Sequence, residues 1–178
     1  FELLCFFVVH NTPLVYNSYK RFEQINTQKF FYIKERIAMV NLITGPKGSG
    51  KTQQIIELAN EKVKTSNGNV VLIKKSHRDT YSVDFNVRAI CMDDYKDIET
   101  LEELVGFLYG MVAGNHDIDT IFIDGALKQA DITLNSLPDF LQKLDKISAT
   151  NNIEFFVSVS ASKEDIPNID EPAYKVLC

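Results

Sequence analysis

Eight consecutive residues, Gly45-Pro46-Lys47-Gly48-Ser49-Gly50-Lys51-Thr52, constrain the fold of this chain more than any other feature. They follow a short apolar run, Val40 to Thr44, and precede a stretch in which Ile55, Ile56, Ala59 and Val63 share one helical face. A strand can turn this tightly into a helix only where glycines take conformations closed to other residues. The spacing G-x-x-x-x-G-K-[ST] then directs converging backbone N–H groups, the positive end of the helix dipole and a lysine toward one point. That arrangement suits the oxygens of a polyphosphate. Gly45 through Thr52 are expected to cradle the phosphates, with Lys51 neutralising the β and γ groups and the Thr52 hydroxyl coordinating Mg²⁺.

Further along, Asn67-Gly68-Asn69 reads as a turn, Val70 to Ile73 as a buried strand and Phe85 to Met92 as another strand. Ile98, Leu101, Leu104, Val105, Leu108, Met111 and Val112 recur at spacings of three and four, which predicts a helix from about Asp97 to Ala113. Thr120 to Asp124 reads as a strand, Pro138 to Ile147 as a helix with proline in its first turn, and Ile153 to Val159 as a strand. Alternating strands and helices imply right-handed crossovers and a three-layer α/β fold, a mostly parallel sheet with helices on both faces. The domain is expected over residues 39–162, with 163–178 an extended tail bearing Pro167 and Pro172.

Residues 1–38 show no sustained periodicity, and the first methionine, Met39, stands directly before the strand that enters the glycine loop. Lys34, Glu35 and Arg36 can be encoded by a purine-rich stretch like a bacterial ribosome-binding site. The expectation is that this segment is translated leader, the rival being an arm that packs Phe30, Phe31 and Tyr32 on the domain. Intact mass of the protein from its native source separates the two.

Ile121-Phe122-Ile123-Asp124 has the form of a second nucleotide motif, an apolar strand that delivers an acid near the phosphate loop. Asp124 is expected to hold Mg²⁺ through a water molecule and, with Lys51, to act in any catalysis. These motifs resemble the P-loop nucleotide-binding superfamily, within it the branch of RecA-like ATPases and the cellular type of thymidine kinase, over about Met39 to Ser160. Leu72-Ile73-Lys74-Lys75 followed by Arg78-Asp79-Thr80-Tyr81-Ser82 is similar to the second strand and following loop of those kinases. The chain departs from them where a glutamate serves as general base: Gly125 follows Asp124 here. It also lacks their zinc-binding cysteine pairs and the loop that encloses thymidine, and it has Pro46-Lys47 in place of apolar residues. The resemblance thus implies a nucleotide-binding fold with ATP and Mg²⁺, and the departures argue against thymidine kinase activity.

With no glutamate at 125, Asp93 or Asp94 is the candidate for activating water or substrate, against the plainer reading of a solvated acidic turn. Ser158 and Ser160 are candidate γ-phosphate sensors of the RecA-like kind, or ordinary strand-end serines. Arg78 and Arg88 are the only arginines after the phosphate loop, and Lys74 and Lys75 end a strand at the edge where ligands bind in such folds.

The formal net charge of -5 and the dispersed lysines disfavour sequence-independent nucleic-acid binding. Cys5, Cys91 and Cys178 are far apart and odd in number, which fits a reducing cytoplasm and offers no zinc ligands; His10, His77 and His116 are equally isolated and read as surface residues. Leu3 to Val9 is too short to span a bilayer. No Asn-Lys-x-Asp segment is present to read guanine, which favours ATP. Three functions follow: a small ATPase or ATP-driven switch, a small-molecule kinase for a nucleoside-like substrate, and a nucleotide-binding interaction module without turnover. The expected partners are the nucleotide and a protein or second copy of the chain.

Overall fold

A computed structural model describes residues 39–166 and 175–177. The proposed leader, with the arm packing Phe30, Phe31 and Tyr32, lies outside the described residues, as do Cys5, His10, Cys178 and the two tail prolines. Six parallel strands form one sheet in the order β3-β2-β4-β5-β1-β6. They are β1 Val40–Thr44, β2 Asn69–Lys74, β3 Arg88–Cys91, β4 Ile118–Ile123, β5 Glu154–Val159 and β6 Lys175–Leu177. Among the described residues the helices are α1 Lys51–Thr65, α2 Leu101–Gly114 and α3 Leu137–Asn151.

The pleat sends alternate residues to opposite faces and so divides the core in two. Ile43, Val70, Leu72 and Phe122 meet Ile55, Ile56 and Ala59 of α1 on one face. Leu42, Val71, Ile73, Ile121, Phe155 and Val157 meet Leu104 and Leu108 of α2 and Phe140 and Leu144 of α3 on the other. The result is the expected three-layer α/β fold. On the α1 face Phe122 and Phe156 stack across β4 and β5, ring centroids 4.6 Å apart, which fixes the strands one step before they deliver the site residues.

Among the boundaries that differ from expectation, two have clear local reasons. Helix α2 begins at Leu101 rather than near Asp97, because Thr100 and Glu103 form a reciprocal capping box that sets its first turn. Strand β3 begins at Arg88, since Asp84 accepts from the backbone of Asn86 and its carbonyl from that of Val87, a turn that leaves Phe85 exposed. In the tail, residues 175–177 lie parallel to β1 and add the sixth strand. No helix among the described residues is long and apolar enough to cross a membrane.

Candidate functional site

The site lies at the C-terminal ends of β1, β4 and β5. The chain leaves β1 at Thr44 and reaches α1 through Gly50, whose φ of 85° is left-handed and whose missing Cβ faces open space. Helix α1 then starts with no side-chain cap and no acidic residue in its first turn. Its leading N–H groups lack intrahelical partners by helix geometry, so a 15-residue helix presents an uncompensated positive end to the cleft. Gly45 N–H donates to the Ala161 carbonyl (2.9 Å), anchoring the loop to the chain just past β5.

Lys51 is buried. Its ammonium donates to the Gly45 and Pro46 carbonyls, both at 2.7 Å, and to Ser49 Oγ at 3.2 Å. Burial and then the charge of Lys128 hold its pKa below the ordinary lysine value, while Asp124 opposes them. Thr52, next in the helix, donates its hydroxyl to the Asp124 carboxylate at 3.0 and 3.2 Å. Two motifs 72 residues apart in sequence therefore meet through side chains.

Strand β5 makes this possible. It separates β1 from β4, with Ser158 level with Ile43 on one side and Val157 level with Ile123 on the other. Ser158 and Asp124 follow Phe156 and Phe122 by two residues and so face α1. The Ser158 hydroxyl donates to Asp124 Oδ1 (2.8 Å) and accepts from the buried Gly125 N–H (2.6 Å). Gly125, at φ 68°, turns the chain at once into a short 3₁₀ turn, Ala126–Lys128, and Gln129 donates to the Asp124 carbonyl (3.2 Å).

These residues border a cleft of about 330 Å³ that also takes in Lys47, Gly48, Asp79, Lys128 and Ser160. The candidates from β2 and β3 sit elsewhere. Lys75 pairs with Asp93 at 3.7 Å and Asp94 with His77 at 2.9 Å; neither Asp93 nor Asp94 lines this cleft, and both follow β3, which β2 and β4 separate from β5. Lys74 is buried and donates to the Arg78 carbonyl. The Arg78 and Arg88 side chains are exposed, and neither borders the cleft.

Gln53, next to Thr52 in α1, borders the cleft as well, and two charged lining residues carry no periodic signal in the sequence, Asp79 and Lys128. Both lie in irregular turns, where periodicity gives no signal. The clue for Lys128 was a lysine four residues past the strand-end acid, and for Asp79 a polar loop directly after β2.

No protein-family model and no curated protein matches the chain. Among solved structures, that of C. elegans PCH-2 is similar at 16% identity and a TM-score of 0.45, over 81% of this chain. The match spans 36% of the length of that protein.

Proposed function

We propose that the chain binds Mg²⁺-ATP in the cleft between the Gly45–Thr52 loop and Asp124 and works as a small ATPase or ATP-driven switch. The contact of Thr52 with Asp124, closed by Ser158, carries the reading. A hydroxyl and a carboxylate, both hard oxygen donors, converge beside a bare helix N-terminus and a buried lysine, and that donor set fits Mg²⁺ with a phosphate chain. Thr52 and Asp124 would hold the ion, which when bound would neutralise phosphate charge. Lys51, now satisfied by carbonyls of its own loop, has the reach to serve phosphate oxygens. Ser158 orients the Asp124 carboxylate and fits a sensor role of the RecA-like kind. For turnover we assign the general base to Asp79, the other carboxylate on this cleft.

One observation favours the runner-up, phosphoryl transfer to a small molecule. A second cleft of about 430 Å³, bordered by Lys75, Asp93, Tyr95 and Lys96, shares Lys128 with the first. A bound acceptor there would adjoin the phosphates.

Magnesium-dependent ATP binding by calorimetry, with phosphate release read on the same samples, tests the proposal. Lys51→Ala is expected to weaken binding at least about tenfold, the scale of a lost charge-assisted hydrogen bond. Equal binding by the variant and the intact chain would sink the site. Binding without phosphate release would leave the non-hydrolysing module.

A further inference from the structure

We propose that His77, Cys91 and Asp94 form a Zn²⁺ site that fixes the loop bordering the phosphate cleft. The three residues are scattered in sequence, and the sheet gathers them. Cys91 ends β3 beside Lys74 of β2; Asp94 closes the 3₁₀ turn Met92–Asp94 that follows β3; His77 lies in the loop that leaves β2. One ligand atom from each, the imidazole nitrogen, the thiol sulfur and a carboxylate oxygen, lies within 4.8 Å of the other two.

Tetrahedral zinc, with bonds of roughly 2.0 to 2.3 Å, sets its ligand atoms about 3.3 to 3.7 Å apart. The cluster therefore closes on the ion with side-chain shifts of about 1 Å. His77 Nε2 already meets Asp94 Oδ1 at 2.9 Å, and the Cys91 thiol donates to the Lys75 carbonyl at 3.4 Å. The backbone on both sides is tied down. Asp93 N–H donates to that same Lys75 carbonyl (3.0 Å), and Thr80 Oγ1 donates to the His77 carbonyl (2.7 Å).

The donor set selects the metal. Sulfur, imidazole and one carboxylate suit a borderline-soft ion such as Zn²⁺ and not Mg²⁺, which takes oxygen. A thiolate and a carboxylate also balance its charge of +2, the thiol proton leaving to solvent as the metal binds. Three protein ligands leave a fourth position for water. The site belongs to the β2–β3 side of the molecule and does not depend on the nucleotide reading. Its consequence reaches the phosphate cleft because Asp79, two residues past His77, borders it.

The experiment titrates the full chain with Co²⁺ as a spectroscopic probe, followed by Zn²⁺ competition. One Co²⁺ per chain is expected, with a thiolate-to-cobalt charge-transfer band that Zn²⁺ abolishes and Mg²⁺ does not. Cys91→Ser should remove the band, while Cys5→Ser and Cys178→Ser leave it. Because Cys91 is buried and its replacement can unsettle packing, the exposed His77→Ala and Asp94→Asn variants decide the matter. Each should weaken Zn²⁺ binding at least about tenfold with an unchanged circular dichroism spectrum. No band, a band that survives Cys91→Ser, or affinity indifferent to both exposed variants would overturn the site.

Discussion

Ser158 is one hydroxyl with two obligations, donating to Asp124 and accepting from a buried backbone N–H of Gly125. Ser158→Ala leaves that N–H without a partner, so the variant should lose about 1 to 3 kcal/mol in urea unfolding and also bind Mg²⁺-ATP more weakly. Asp79→Asn should behave differently, retaining ATP binding while phosphate release falls at least about a hundredfold, the scale of a lost general base. Retained turnover would exclude Asp79 as the base. Gly125 illustrates what residue identity alone conveys. In sequence it marks a missing glutamate; in the fold its φ of 68° makes it the pivot that carries Lys128 to the cleft, a conformation that a side chain at that position would strain. The turn from β1 through Gly45–Thr52 into α1 was legible because its glycine spacing encodes its geometry. Asp79 and Lys128 were not, because turn residues acquire neighbours only once the strands are ordered.

At the scale of elements, helix α2 shows where pattern stops and chemistry starts. Its apolar spacing runs back to Ile98, yet the helix begins at Leu101, since the Thr100 hydroxyl accepts from the Glu103 N–H while the Glu103 carboxylate accepts from the backbone of Thr100 and Glu99. Ile98 still packs on the core, without being helical. Thr100→Ala should cost about 1 kcal/mol in urea unfolding. The backbone bonds to Thr100 and then Glu99 hold the Glu103 pKa below the ordinary glutamate value. A depressed folded pKa stabilises above the unfolded pKa, and that contribution disappears as pH falls through the folded one. Unfolding midpoints of the parent and Glu103→Gln should therefore differ at neutral pH and converge as the medium is acidified below the glutamate range. The strand expected over Phe85 to Met92 is cut to Arg88–Cys91 by the Asp84 turn, a side-chain to backbone bond that hydrophobic patterning does not register.

For the whole molecule, the alternation of apolar runs disclosed the layers and the parallel sheet but not the strand order. Buried runs such as Val70 to Ile73 and Ile121 to Ile123 carry no mark of their neighbours, and the interposition of β5 between β1 and β4 emerges only from the assembled sheet. The same holds at the sheet's end, where residues 175–177, part of a segment read as an appendage, pair with Asn41 to Ile43. A chain ending at Ile166 would leave β1 as an edge strand. It should unfold with a stability lower by on the order of 2 kcal/mol, the net worth of a few ladder bonds, measurable by urea titration.

The position of β5 also has a metrological consequence. Because one strand lies between the loop strand and the acid strand, the jaw between Thr44 and Asp124 opens by two ladder spacings of about 4.8 Å each. Hydrogen-bond pitch is among the least adjustable lengths in a protein. Substitution can re-line this jaw and change what it grips, but the gauge itself is set by the backbone.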